Sequence, residues 1–239
     1  MRCNAAPACP GMFNKYLFKI NFSKAATMTL AALFGTLALL LHLLGYAWYA
    51  LGILRGRTLP NAASWFMWLV GAWVEYRTFD AIDSHWATSA LPLACFLGCC
   101  AIFAVTAVLQ LARRAAGSRE VVYRPARGTD YLAVGFDLGA WTLYALTGGA
   151  ALANTLAVTT SIVSFIPIWR STLRHGHETP GPWFVWCAAY LAMFGAVMSG
   201  SGTQTFAQSV YPVYYFLLSA VVAALSFATV RGYLHRRLA

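Results

Sequence analysis

Seven apolar runs follow one another along this chain, and nearly all of its charges fall in the gaps between them. The runs are 28–54, 62–79, 87–111, 131–147, 150–169, 182–200 and 210–230. A helix crosses a bilayer core with about 20 mostly apolar residues. Backbone inside lipid must satisfy its own hydrogen bonds, which leaves helices or a closed barrel. The alternating ten-residue segments of a barrel do not recur here. The expected fold class is therefore all-α, a polytopic membrane protein of seven transmembrane helices. Only 10% of the 239 residues are charged and 60% are hydrophobic, against about 25% charged in soluble domains. So few charges cannot cover a water-soluble enzyme of this size, and disorder and coiled coil are excluded with it.

The second run is the weakest, because Glu75 and Arg77 interrupt it. The fourth and fifth are separated only by Thr147-Gly148-Gly149, which predicts a tight hairpin. Orientation follows from where the 17 Lys and Arg residues lie. Twelve arginines fall on one side: Arg55, Arg57, Arg113, Arg114, Arg119, Arg124, Arg127, Arg170, Arg174, Arg231, Arg236 and Arg237. The positive-inside rule puts that side, and the C-terminus, in the cytoplasm and the N-terminus outside. Arg77 and the basic N-terminal tail (Arg2, Lys15, Lys19, Lys24) fall on the other side. Two explanations of the tail stay open: it is outvoted, or translation starts at Met28 or Met12. A composition rich in Ala and Arg and poor in Lys fits a bacterium, so the expected location is a bacterial inner membrane.

The chain repeats itself. Ser64-Trp65-Phe66-Met67-Trp68 and Pro182-Trp183-Phe184-Val185-Trp186 each follow a short basic loop with proline, and Trp65 and Trp183 stand 118 positions apart. Spans 1–3 and 5–7 read as two copies of one three-helix unit, with span 4 as linker, a 3+1+3 order. An odd linker keeps the copies parallel, as in a known class of transporters. The divisions are a basic tail over 1–27, a first triple over 28–111, a loop and linker helix over 112–149, a second triple over 150–230 and a basic tail over 231–239.

The stretch from Tyr46 to Trp68, with Gly45-Tyr46, Arg55-Gly56-Arg57-Thr58, Pro60 and Ala63-Ser64-Trp65, resembles the PQ-loop superfamily of SWEET and SemiSWEET transporters. It is most similar to a bacterial seven-helix branch, and Ser164-Phe165-Ile166-Pro167, Arg170 and Trp183 supply the second copy. The resemblance implies a solute pathway between two triple-helix units, with the N-terminus outside. Trp48 replaces a helix-kinking proline and Ile168 the loop glutamine. Spans 3 and 7 lack the asparagines of the sugar site, which points away from sugar.

Charged groups inside a span are costly and are candidates for function. Glu75 falls roughly 21 Å along span 2 at 1.5 Å per residue. Two readings stay open: a proton, cation or amine site, or a headgroup-level pair with Arg77. His42 and Asp137 join it as candidates for proton coupling, against packing and structural polar roles. Trp65, Trp183, Glu75 and Asn154 are the candidate solute contacts. The tryptophans taken singly read as interfacial anchors, and Asn154 as an inter-helix donor. Pro167 is the candidate hinge. His175, His177 and Glu178 hint at a metal but lack a third ligand at helical spacing. Cys95 and Cys99 share a helix face with no His or carboxylate near in sequence. Cys3 and Cys9 lie in the tail.

No catalytic motif is present, so no enzyme, cofactor or metal is expected. The expected function is transport of a small solute by alternating access. The alternatives are a membrane receptor or assembly partner and, behind it, an enzyme acting on lipid or isoprenoid. The expected partners are a small-molecule solute and membrane lipid, with self-association as a homo-oligomer left open and nucleic acid excluded.

Overall fold

The computed structural model describes residues 10–60, 62–83, 85–117, 132–176, 178–200 and 205–238. The described residues are helical throughout, apart from short connections: α1 Pro10–Leu54, α2 Ala62–Ile82, α3 Trp86–Ala115, α4 Leu132–Thr147, α5 Ala150–Thr160, α6 Ile162–His175, α7 Pro180–Ser199 and α8 Phe206–Leu238. Among them, five stretches are long and apolar enough to cross a membrane: 28–54, 86–113, 150–174, 180–199 and 206–230. This is the architecture of a membrane-resident helical protein. α2 does not reach that standard of apolarity, and α4 is a shorter apolar helix. Cys3, Cys9, Arg119, Arg124, Arg127 and His177 lie outside the described residues.

Two helix ends use glycine in the same way. Gly56 has φ +68° and Gly176 φ +62°, a left-handed conformation that costs glycine nothing. Gly56 N–H donates to Ile53 O at 3.0 Å, and Gly176 N–H to Thr172 O at 3.0 Å. Each helix stops there, and a proline, Pro60 or Pro180, follows within a few residues. Pro180 opens α7, with its missing N–H at a position that needs none.

The fifth predicted span is interrupted rather than straight. α5 ends at Thr160 and α6 begins at Ile162, so the break sits at Ser161, upstream of the expected hinge at Pro167. Ser161 Oγ donates to Val158 O at 2.7 Å and Thr160 Oγ1 to Leu156 O at 2.8 Å. Side chains thus bond carbonyls of the preceding turn, which bends helices, while Pro167 removes one backbone bond farther on. α1 also departs from expectation, because its backbone stays helical back to Pro10 rather than breaking before Met28.

α3 packs against both α1 and α2, and α8 packs against α7 and against α5 and α6. Across the middle, α1 meets α7, while α2 meets α5 and α6; α4 rests on α5 and α2. Leucines 33, 37, 40, 44 and 51 of α1 are exposed and form an apolar outer stripe suited to lipid. The interior is largely aromatic, built around Tyr49, Trp65, Trp68, Trp183, Trp186 and Tyr211.

Small residues set the close approaches. A Cβ on Gly35 would strike the backbone carbonyl of Ala87, so α1 and α3 can meet there only without one. Gly35→Ala should cost about 1–3 kcal/mol by overpacking, read as a lowered unfolding midpoint in detergent. An unchanged midpoint would show that the two helices part freely.

Candidate functional site

The helices converge on one central cavity. Its walls include His42 and Tyr46 from α1, Trp65, Trp68, Gly71, Ala72 and Glu75 from α2, and Cys95 and Cys99 from α3. Asp137 enters from α4, Ser161, Ser164 and Phe165 from the α5–α6 break and α6, Trp183, Trp186 and Tyr190 from α7, and Tyr215 and Ser219 from α8. Its volume is about 40 Å³, counted as room for the centre of a water molecule. At ~10–15 Å³ for each water, that is space for about three.

Five of the seven residues singled out from the sequence meet here. Glu75 is 1% exposed. Tyr215 OH donates to Glu75 Oε1, while Oε2 has no hydrogen-bond partner. Arg77 points elsewhere and is exposed, so the headgroup-level pair is not the arrangement. Asp137 is 3% exposed; its carboxyl lies against Gly71, where an added Cβ would come within 2.9 Å of Oδ2. α4 thus delivers a carboxyl to the cavity wall instead of only packing. Neither ring nitrogen of His42 has a hydrogen-bond partner, and the side chain is buried. Trp65 and Trp183 are 1% and 2% exposed. They are interior walls, which corrects their reading as interfacial anchors.

The other two stand apart. Asn154 does not line the cavity. Its Nδ2 donates to Glu75 O at 3.3 Å and Thr78 Oγ1 at 3.0 Å, tying α5 to α2 behind the site. Of its two readings, Asn154 thus takes the inter-helix donor role. Pro167 lies in α6, away from the cavity wall.

Several residues were hidden from sequence reasoning. Glu178, read there as part of a weak metal pattern, is 3% exposed and is bonded to the cavity wall through Trp183. Tyr49 OH donates to its Oε1 at 2.9 Å, and Trp183 Nε1 donates to its Oε2 at 3.2 Å. Trp65 Nε1 donates to Tyr49 OH at 3.3 Å, so both repeated tryptophans feed one carboxyl. Burial pushes that carboxyl up to about 8, against the opposing pull of the Trp183 and Tyr49 hydrogen bonds. Beside it, Thr58 and Thr179 hydroxyls meet at 3.1 Å, joining the α1–α2 and α6–α7 loops. At the opposite end Gln208 Nε2 donates to Asp83 Oδ2 at 3.0 Å, and Thr88 Oγ1 to the same oxygen at 2.9 Å. Both ends are latched, and each latch joins an early helix to a late one. Tyr46 OH also donates to Cys95 O at 3.2 Å and contacts both Cys95 and Cys99 sulfurs at 3.5 Å. Among the described residues no cluster of three or more metal-ligating side chains occurs.

The walls recur along the chain. His42 and Ser161, and Tyr46 and Phe165, stand 119 positions apart; Trp65 and Trp183, Trp68 and Trp186, and Ala72 and Tyr190 stand 118 apart; Cys95 and Tyr215, and Cys99 and Ser219, stand 120 apart. Every member of those pairs lines the cavity. Glu75 and Asp137 have no such counterpart among the described walls: 118 positions on from Glu75 stands Met193. No family model, no curated protein and no solved structure matches this chain.

Proposed function

We propose that the protein is a bacterial inner-membrane transporter of a small solute, PQ-loop-like in its 3+1+3 order, with its C-terminus in the cytoplasm. Two triple-helix units, α1–α3 and α5–α8, hold the solute between them and open alternately to each side. The paired recurrence of the cavity walls carries this reading. A solute site built at the interface of two repeats is where alternating access places it. The packing adds support, since the third helix of each unit touches both of its companions, and the cross-contacts α1–α7 and α2–α5 exchange under the same pairing. The hydrogen bonds that tie early to late helices at both ends fit a state in which the two units are held together.

A native cysteine tests this without knowing the solute. Cys99 is 2% exposed and lines the cavity, so a reagent reaches it only when a latch opens. In vesicles, with the other cysteines replaced by alanine, a membrane-impermeant thiol reagent should modify Cys99 from either face. A disulfide across T58C and T179C should then stop modification from the arginine-rich face and leave the other intact. Modification from one face alone, or from neither, would overturn transport and favour a receptor.

A further inference from the structure

We propose that the central cavity binds a small ammonium-type cation, held by Glu75 and Asp137 and walled by aromatic rings. This deepens the reading of the cavity as a solute site and rests on it. Both carboxyls are more than nine-tenths buried and line one cavity, and among the described residues no lysine or arginine lines it. Buried carboxylates without a counter-charge are costly, and more so at membrane depth. Tyr215 holds one oxygen of Glu75 and leaves Oε2 unpartnered. His42, on the same wall, adds one acceptor nitrogen in its neutral form. The unpartnered groups on the wall thus include the acceptors Glu75 Oε2 and one nitrogen of His42, beside the donor Trp68 Nε1, and a primary ammonium is donor-only, with three N–H groups.

The rings argue the same way. Trp65, Trp68, Trp183, Trp186, Tyr190 and Tyr215 all line the cavity. Aromatic faces attract cations, most strongly where water is excluded. An anion would meet two carboxyls, and a neutral apolar solute would leave both unmatched. A sugar needs many paired donors and acceptors and more than this volume, whereas methylammonium fits the space as it stands. Gly71 lets the Asp137 carboxyl reach the site, so Gly71→Ala should weaken binding by displacing it.

The experiment uses the full chain in detergent, with methylammonium and guanidinium as probes. Methanol and urea serve as neutral counterparts of matching shape, and sodium chloride controls for ionic strength. The cations should raise the unfolding midpoint by mass action and slow Cys99 modification at least roughly tenfold, while the neutral molecules and sodium should not. Glu75→Gln, which keeps an oxygen for Tyr215, and Asp137→Asn should each weaken that protection at least roughly tenfold. Equal protection by urea, methanol or sodium, or protection that survives in the double variant, overturns the proposal. Absence of protection with Cys99 still switching between faces overturns the cation and leaves transport standing. A Cys99 that never switches sinks transport itself, even where cations protect it and the binding site stands.

Discussion

Cutting Trp65 to alanine should lower the unfolding midpoint in detergent by on the order of 10 °C. A buried tryptophan truncated to alanine costs about 3–5 kcal/mol, and one kcal/mol shifts the midpoint of a chain this size by ~2–4 °C. Trp65 sits among Tyr49 and Trp68, each 5.0 Å away between ring centres, and Tyr46 and Trp186, each 6.2 Å away. Two lie on α1, one on α2 and one on α7, so the ring is shared by helices far apart in sequence. Trp65→Phe separates packing from bonding: it loses the bond to Tyr49, about 1 kcal/mol, and keeps most of the contact. A midpoint that barely moves in Trp65→Ala would mean that the aromatic centre repacks around the gap.

The second large effect depends on pH. Burial holds the Glu178 carboxyl at about 8 instead of its ordinary 4.5. Between those values the folded chain keeps a proton that the unfolded chain has released. Glu178 therefore contributes most below about pH 4.5, and the contribution falls as pH rises and is gone above about 8. The unfolding midpoint should drop steadily from pH 5 to 8, and Glu178→Gln should flatten that slope. The same ionisation favours a carboxyl in water, so Cys99 modification from the arginine-rich face should speed up between pH 6 and 8.5 by more than in Glu178→Gln, which carries the same rise in thiolate. A slope that persists in Glu178→Gln assigns the titration to another group.

Much of the helical layout was legible because apolar length is a direct demand of the bilayer. Span 1 as read ends at Leu54, where α1 ends, and the glycine pair after Thr147 makes the expected hairpin between α4 and α5. The inward faces were much harder to read. In lipid the outer face of a helix is as apolar as the inner, so Leu40 at 60% exposure and Tyr49 at 0% carry no contrast of polarity to tell them apart. Trp65 and Trp183 looked like interfacial anchors for that reason. The break at Ser161 was missed because proline dominates expectation, whereas hydroxyls bonding back along the helix leave no comparable mark. Glu178 was hidden because its partner Tyr49 lies 129 positions away. Glu75 and Asp137 were noticed because charge inside an apolar run is conspicuous, but their meeting across α2 and α4 belongs to tertiary structure.

The unmatched acids bear on ancestry. A symmetric dimer of one half can place a charged group on its axis of symmetry only in duplicate, since whatever one subunit contributes the other must contribute again. Once two halves are joined in a single polypeptide, each is free to drift. Under the proposed two-repeat organisation, Trp65 answers Trp183 and Cys99 answers Ser219, while Glu75 faces no second glutamate and Asp137 comes from α4, outside either copy. On that proposed organisation, joining two copies in one chain lets a site fix an odd or lopsided number of charges and shed redundant ones without rebuilding the scaffold.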